Sequence, residues 1–306
     1  MVKKYLSLVK FSHTVFAMPF AMIGFVLGVI HAPLKPDQWN LNMTIGWVDY
    51  TSPMMYMPIL NRLLLVVLCM VFARSAAMAF NRWLDKNFDA ANPRTAIREI
   101  PAGIISANKA LIFVIINSLA FIITTAFINP LCFALSFVAL FVILFYSYTK
   151  RFTPLCHLVL GLGLSLAPIG AYLAVTGVFN VLPVMFSFVV LTWVSGFDII
   201  YALQDEEFDR SQNLHSIPVW LGKKNALRFS EILHLISVLL VISIGLYGGY
   251  HLLYWLGTVI FAGMLIYQHS IVKPNDLSKV NIAFMTANGI ASVAFAVFVI
   301  SDLIVL

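Results

Sequence analysis

Two short segments hold most of the acidic side chains of the chain, and each could bind a cation. In the first, NRWLDKNFD, an amide and two carboxylates stand four residues apart at Asn81, Asp85 and Asp89. That interval places all three side chains on one face of a helix. Carboxylates at this spacing repel each other, so the segment predicts that a positive group lies between Asp85 and Asp89.

The second segment, DIIYALQDEEFD, has a similar arrangement of oxygen-bearing side chains. Asp198, Tyr201, Asp205 and Asp209 stand at offsets of 0, 3, 7 and 11 residues. A helix with about 3.6 residues per turn brings these four side chains to a common face. The segment therefore predicts a second acidic face.

The two segments are separated by a constant interval, which indicates a weak internal repeat. Asp85 and Asp205 are 120 residues apart, and so are Asp89 and Asp209. An Ile-Pro pair and a nearby glycine follow each segment, namely Ile100-Pro101 with Gly103 and Ile217-Pro218 with Gly222. Solvated loop charges alone would not be expected to keep this match, so we interpret both segments as parts of one site.

Oxygen ligands without neighbouring cysteine or histidine favour a hard cation such as Mg²⁺. Mg²⁺ usually takes one or two carboxylates and completes its coordination with water and substrate phosphate oxygens. Two facing acidic segments would therefore suit a polyphosphate bridged by metal ions. The predicted metal ligands are Asn81, Asp85, Asp89, Asp205 and Asp209, and these five together with Asp198 are the predicted catalytic residues.

Basic and aromatic side chains accompany the acidic segments. Guanidinium and ammonium groups bind phosphate oxygens, so we predict substrate binding by Arg94, Arg98, Lys150, Arg151 and Arg210. An aromatic ring face stabilises a neighbouring cationic centre, and Tyr201 is predicted to supply one.

Arg74 lies 11 residues before Asp85, which places it on the same helical face and roughly 16 Å deeper. An arginine at that depth in an apolar helix is costly unless it points into a polar cavity. We predict that Arg74 binds an anionic group of the substrate. The alternative is an arginine that is paired within the protein or extends to the membrane surface.

The composition places these segments in a membrane protein. Apolar residues make up 61% of the 306 residues, charged residues only 10%, and the mean hydropathy is +0.94. Soluble domains average about 25% charged residues, so a soluble enzyme, a disordered chain and a disulfide-stapled secreted module are excluded. The three cysteines, Cys69, Cys132 and Cys156, follow no ligand or disulfide spacing and are predicted to be free thiols.

Continuous apolar runs of about 20 residues predict membrane-spanning helices. We expect an all-α integral membrane protein with nine transmembrane helices around a central cavity, forming a single domain over residues 1–306. The predicted helices cover residues 11–30, 59–84, 110–128, 131–148, 156–176, 182–205, 230–249, 252–270 and 281–304. The basic start of the chain resembles a signal peptide but has no small-residue cleavage site, so residues 11–30 are interpreted as a retained span.

The basic residues predict the orientation. With the N-terminus in the cytoplasm, most of the 19 lysines and arginines fall on the cytoplasmic side, as the positive-inside rule requires. Topology thus explains the net charge of +6 without nucleic acid. Both acidic segments fall on the cytoplasmic side, where loops 90–107 and 206–225 are predicted to cap the cavity. An integral inner (cytoplasmic) membrane protein is expected.

These motifs resemble the UbiA superfamily of intramembrane prenyltransferases. The resemblance rests on Arg74 with NRWLDKNFDAANPRTAIREIPAG, on DIIYALQDEEFDRSQNLHSIP, and on FSHTVFAMPFA and NIAFMTANG near the two ends of the chain. It implies nine helices around a cavity and two Asp-rich motifs that bind Mg²⁺ and a polyprenyl diphosphate. Asn213 and Ala102 depart from the family pattern, at positions where glycine and serine are common, and neither is a predicted ligand.

The resemblance also implies the reaction, which is Mg²⁺-dependent transfer of the prenyl group to the ring of a small aromatic acid, 4-hydroxybenzoate. Prenylation of a hydroxynaphthoate is the alternative acceptor chemistry. The predicted partners are the two substrates and the lipid bilayer, with no obligatory protein partner and no nucleic acid. A secondary transporter is the alternative from another class. Transporters commonly bind substrate near the membrane midplane, whereas the acids here lie at predicted helix ends.

Overall fold

A computed structural model describes residues 2–9, 16–32, 40–45, 48–53 and 59–305. Two short helices come first, α1 (Val2–Leu8) and α2 (Met18–His31). A β-hairpin of β1 (Asn40–Ile45) and β2 (Val48–Pro53) follows them. The remaining elements are α3 (Ile59–Leu84), α4 (Lys86–Ala91), α5 (Ala107–Ala126), α6 (Pro130–Thr149), α7 (Cys156–Thr176), α8 (Val181–Ala202), a 3₁₀ turn (Leu203–Asp205), α9 (Glu206–Ser211), α10 (Ile217–Gly248), α11 (Leu252–Ile271), a π-helical segment (Ile282–Ala287) and α12 (Asn288–Val305).

Among the described residues, eight helical segments are long and apolar enough to cross a membrane. They make this a multi-pass integral membrane protein, as predicted. The ninth predicted span, residues 11–30, is observed in part: α2 is apolar but has 14 residues, and residues 11–15 lie outside the described part of the chain. We therefore retain the ninth crossing as a proposal.

The β-hairpin between α2 and α3 was not predicted. Its strands are antiparallel, with Asn40 opposite Pro53 and Ile45 opposite Val48. The expectation of a chain with helices alone was wrong at this position. A search for continuous apolar runs cannot detect it, because a short hairpin carries no run of membrane length.

Helix ends follow the polar and glycine residues that interrupt the apolar runs. Asn129 caps α6 by accepting a hydrogen bond from the backbone N–H of Cys132 at 2.7 Å, and Pro130 occupies the first turn. Such a pair is a strong start signal for a helix. Gly177 and Gly249 end α7 and α10 with left-handed backbones, at φ 69° and 65°, which glycine adopts without steric cost.

Helix α10 differs from its prediction. It begins at Ile217 rather than at residue 230, and Gly222 interrupts it with φ 74° and ψ 160°. The first part of the helix is polar, with Lys223 and Lys224 near the interruption, so it gives no apolar run. The predicted cap loop 206–225 is consequently helical over most of its length, because α9 also lies within it.

An aromatic core joins α2, α8, α11 and α12. Phe20, Trp193, Phe261 and Phe295 are buried, with ring centroids 5.2 to 6.5 Å apart in the contacts among them. Gly24 lets α2 approach α7, since a Cβ at this position would lie 2.0 Å from the carbonyl oxygen of Pro168. Close packing of this kind makes one side of the bundle a rigid support for the site.

Candidate active site

Both acidic segments bend at an aspartate. Asp85 separates α3 from α4 with φ −92° and ψ 10°, and Asp205 precedes α9 with φ −103° and ψ 0°. Each short helix then buries a second aspartate, Asp89 in α4 and Asp209 in α9. The helix is therefore interrupted at the aspartate in each segment, although the oxygen-bearing side chains of both segments still line one cavity. The structure gives the two segments the same local geometry.

The equivalence extends to the glycine after each Ile-Pro pair. Gly103 and Gly222 both have left-handed backbones, at φ 70° and 74°. Side chains other than glycine rarely adopt this conformation. The shared left-handed conformation agrees with the interpretation of a weak internal repeat, although Gly103 lies in a turn before α5 and Gly222 within α10.

A basic residue contacts each of four site aspartates. The predicted positive group near Asp85 is Arg151, whose guanidinium lies 2.8 Å from Oδ1 of Asp85. Arg98 lies 2.7 Å from Oδ1 of Asp89. In the second segment, Lys150 Nζ lies 2.7 Å from Oδ1 of Asp209. These pairs balance charges that would otherwise be costly to bury.

The fourth pair links the two segments directly. Arg94 donates from Nε to Oδ1 of Asp205 at 2.9 Å, and its terminal nitrogen contacts the other carboxylate oxygen. The guanidinium also donates to the hydroxyl of Tyr201 at 2.9 Å and lies 5.2 Å from the centre of that ring. Asn92 donates to Asp205 at 3.2 Å. The first acidic segment and its following turn are thus fastened to the second.

These side chains surround a polar cavity of about 210 Å³. Ten of the predicted residues line it: Asn81, Asp85, Asp89, Arg94, Arg98, Lys150, Asp198, Tyr201, Asp205 and Asp209. Arg151 reaches the site through its contact with Asp85. Arg210 lines neither this cavity nor the one described next. Its side chain is 59% exposed and contacts Glu206, so its predicted contact with substrate has no support in the geometry.

A second and larger cavity, of about 820 Å³, adjoins the first. Its wall is mostly apolar and comes from α3, α5, α6, α7 and α8, with Arg74 among the lining residues. Residues common to both cavity walls include Asn81, Arg94, Asp198 and Tyr201. A polar compartment therefore shares a wall with an apolar one.

At the site, burial and neighbouring charges shift the pKa values of the ionisable side chains in opposite directions. Burial raises the pKa of Asp85 above its usual value, although Arg151 acts in the opposite direction. Burial lowers the pKa of Lys150, but the attraction of Asp209 outweighs it and the net shift is upward. For Arg94, burial is likewise outweighed by Asp205, so its pKa is raised. Both basic groups are therefore held in their charged forms.

The donor set fits Mg²⁺ when substrate supplies further ligands. Within the described residues, no group of three or more His, Cys, Asp and Glu side chains converges on one point as a complete metal site. Oδ2 of Asp89 and Oδ2 of Asp209 are buried without a hydrogen-bond partner in the same part of the chain. Such oxygens are available to a cation whose coordination is completed by water and phosphate oxygens, as Mg²⁺ prefers.

Tyr146 and His157 are two of the polar-cavity residues that the sequence analysis did not predict. Tyr146 lies one helical turn before Lys150 and lines both cavities. His157, near the start of α7, lies with Nδ1 2.7 Å from Oδ2 of Asp198. The four-residue spacing of Tyr146 and Lys150 could have indicated a shared face. A single histidine in an apolar run gives no comparable signal.

Together, the helical bundle and its paired acidic segments define a polytopic membrane protein with a polar site beside an apolar cavity. Residues 43–290 match the UbiA prenyltransferase family, and the chain belongs to that family. It is therefore a prenyltransferase, which confirms the predicted enzyme class. The alternative interpretation as a secondary transporter is not supported.

Similar proteins cover nearly the whole chain. The 4-hydroxybenzoate octaprenyltransferase of Francisella tularensis subsp. tularensis (strain WY96-3418) is 29% identical over 286 residues, which cover 92% of this chain and 96% of that protein. The protein of the same name from Nitrosospira multiformis is 29% identical over 271 residues, covering 89% and 90%.

Solved structures share the fold. The apo structure of a UbiA homolog from Aeropyrum pernix K1 aligns with a TM-score of 0.75 and 28% identity, covering 96% of this chain and 97% of that one. A UbiA homolog from Archaeoglobus fulgidus bound to GPP and Mg²⁺ aligns with a TM-score of 0.70 and 20% identity, covering 98% and 99%. The bundle is therefore the UbiA fold.

Proposed function

We propose that this protein transfers a polyprenyl group from a polyprenyl diphosphate to the ring of 4-hydroxybenzoate, in a reaction that requires Mg²⁺. The observation that carries the proposal is the pair of adjoining cavities. The polar cavity has the size and charge for a diphosphate with its metal ions, while the apolar cavity suits a hydrocarbon chain. The relatives named 4-hydroxybenzoate octaprenyltransferase support this choice of acceptor.

The residues of the two acidic segments would hold the metal. Asn81, Asp85, Asp89, Asp205 and Asp209 are the proposed ligands, with diphosphate oxygens and water completing the coordination. When bound, Mg²⁺ neutralises negative charge on the leaving diphosphate. Charge-assisted contacts from Arg94, Arg98 and Lys150 to the phosphate oxygens would stabilise the same charge as the allylic C–O bond breaks.

The apolar wall would protect the reacting carbon. Breaking the C–O bond leaves a carbocation-like centre on the prenyl chain, which water would capture. The ring of Tyr201 lies at the junction of the two cavities and could stabilise this centre through its electron-rich face. Exclusion of water by the surrounding apolar side chains would direct the centre to the aromatic acceptor.

We also propose the arrangement of the chain in the membrane. Residues 11–30 would form a ninth crossing, the N-terminus would be cytoplasmic, and the acidic segments would face the cytoplasm in the inner membrane. The distribution of lysine and arginine supports this orientation. Cytoplasmic placement would give the diphosphate access to the polar cavity from water, while its chain remains in lipid.

The test uses the full chain purified in detergent. A polyprenyl diphosphate is supplied with 4-hydroxybenzoate or with a dihydroxynaphthoate, with Mg²⁺ or with excess chelator, and products are identified by mass spectrometry. We expect prenylated 4-hydroxybenzoate only when Mg²⁺ is present. Product formed equally well in chelator would overturn the metal requirement. If only the dihydroxynaphthoate were prenylated, 4-hydroxybenzoate would be wrong as the acceptor and the naphthoate would take its place.

A further inference from the structure

Asp198 differs from the other site aspartates in its partner. The ion pairs of Asp85, Asp89, Asp205 and Asp209 are with lysine or arginine. The partner of Asp198 among the described residues is instead His157, with Nδ1 at 2.7 Å from Oδ2. A histidine in this position can accept and release a proton, whereas an arginine remains charged.

The hydrogen bond to Asp198 assigns the roles of the two ring nitrogens. Because the carboxylate accepts, Nδ1 of His157 donates the hydrogen bond, and in the neutral form of the ring Nε2 has a free electron pair. Nε2 is buried and has no hydrogen-bond partner within the described residues. His157 is only 4% exposed and lines the polar cavity. A residue of the cavity wall thus carries a buried nitrogen that, in the neutral ring, can accept a proton.

The pair is held in place by the packing of α7 on α8. The backbone carbonyl of His157 accepts a hydrogen bond from the hydroxyl of Ser195 at 3.1 Å. One turn further, a Cβ on Gly161 would lie 2.5 Å from the carbonyl oxygen of Leu191, so the two helices are in close contact. Positioning of this kind is what a proton acceptor requires.

We propose that His157, oriented by Asp198, is the base that removes the hydroxyl proton of the phenolic acceptor, an inference that rests on the proposed function. The O–H bond breaks, its electron pair remains on oxygen, and the proton moves to Nε2. The electron-rich ring then forms a bond to the prenyl carbon while the C–O bond of the donor breaks toward diphosphate. Loss of the displaced ring proton to water restores the aromatic ring with the negative charge on the phenolic oxygen. The imidazolium on His157, held against the Asp198 carboxylate, then returns its proton to that oxygen.

Other titratable groups share this part of the cavity and belong in the interpretation of any pH profile. The titratable and charged residues that line the polar cavity together with His157 are Asp85, Asp89, Arg94, Arg98, Tyr146, Lys150, Cys156, Asp198, Asp205 and Asp209. Lys150 is paired with Asp209, and Asp205 with Arg94. Of these paired groups, His157–Asp198 is the one whose basic member is an imidazole rather than a lysine or arginine.

The first test needs no turnover. The ¹⁵N spectrum of histidine-labelled protein is compared with that of His157→Gln to assign the ring signals of His157. We expect a protonated Nδ1 and an unprotonated Nε2 at neutral pH. A protonated Nε2 in the resting protein would overturn the role as a base.

The second test measures prenyl transfer by the wild type, His157→Gln and the matched control His215→Gln, whose side chain is exposed and lines neither cavity. Glutamine can still donate to Asp198, so the bundle should be preserved. We expect His157→Gln to lower kcat by about 10²- to 10⁴-fold, the usual contribution of a general base. This loss should shrink as pH rises, and with a fluorinated, more acidic phenol, because the hydroxyl is then already ionised.

The possible outcomes distinguish a failure of the base role of His157 from a failure of the proposed prenyl-transfer function. Wild-type rates in His157→Gln would overturn the role of His157 and leave the proposed function intact. A loss that stays the same at every pH and for every phenol would show a structural role and overturn it as well. No transfer by the wild type to any phenol would overturn the proposed function, and the base role with it.

Discussion

Arg94 and Asp205 are 111 positions apart in the chain, yet Nε of the arginine lies 2.9 Å from Oδ1 of the aspartate. The second contact of the guanidinium, to the other carboxylate oxygen, makes the pair bidentate. Pairing of this geometry gives orientation as well as attraction. The two acidic segments therefore form one site because a side chain from the turn after the first segment is fixed on the second.

Replacing Arg94 with lysine should show whether its role depends on the positive charge alone or also on the geometry of its hydrogen bonds. Lysine keeps the positive charge but cannot contact both carboxylate oxygens and Tyr201 together. Since a charge-assisted hydrogen bond contributes about 1.5 to 3 kcal/mol, we expect kcat/KM to fall about 10- to 100-fold. Steady-state kinetics in detergent check this, with Arg210→Lys as the control outside both cavities. Equal rates for the two variants would contradict the role of Arg94.

Asp85→Asn and Asp205→Asn should each reduce prenyl transfer by about 100-fold or more, because each removes a proposed metal ligand and its negative charge. Asp276→Asn is the matched control, since Asp276 lies between α11 and α12 and hydrogen bonds to Ser278 away from both cavities. Activity is measured over a range of Mg²⁺ concentrations. If either site variant kept wild-type turnover, its aspartate would have no part in metal binding.

Arg74→Ala should weaken substrate binding, measured as KM, more than it slows the chemical step, measured as kcat. Arg74 lines the apolar cavity and not the polar one, so we expect KM for one substrate to rise about tenfold, the effect of one lost charge-assisted contact. Separate titrations of prenyl diphosphate and of the aromatic acid identify which substrate is affected. Unchanged KM values for both would return Arg74 to the alternative of a paired structural arginine.

Gly24→Ala should lower the thermal stability of the protein. The added methyl group would overlap the Pro168 carbonyl oxygen at 2.0 Å, and overpacking of this kind costs about 1 to 3 kcal/mol. We expect Tm in detergent to fall by several degrees. Gly263→Ala is the control, because nothing lies within 4 Å of its Cβ position. A Tm that is unchanged in Gly24→Ala would show that α2 and α7 can separate at this point.

Long apolar helices were predictable because their signal is continuous along the chain. The bounds of α3 and α7, Ile59–Leu84 and Cys156–Thr176, agree with the predicted 59–84 and 156–176. The start of α10 was missed because its first turns are polar and depend on tertiary contacts. The bends at Asp85 and Asp205 were missed for another reason: an aspartate that continues a helix and one that interrupts it have the same local spacing.

Much of the site was visible in the sequence as charge at regular intervals, but its pairings were not. Spacing within a helix indicates which side chains share a face, whereas the pairing of Lys150 with Asp209 depends on how α6 packs near α9. Asn213 illustrates a departure that the structure explains. It stands where the family pattern favours glycine and has φ 53°, a left-handed backbone that asparagine tolerates better than most residues.

The sequence distance between Arg94 and Asp205 has a consequence for biogenesis. A ribosome that adds about 5 to 20 residues per second needs roughly 6 to 22 s to pass from one to the other across 111 positions. During that time α5, α6, α7 and α8 are synthesised while the arginine still lacks its carboxylate. A truncated or stalled nascent chain would therefore carry only half of the site. The site could form only after synthesis has passed α8 and reached Asp205.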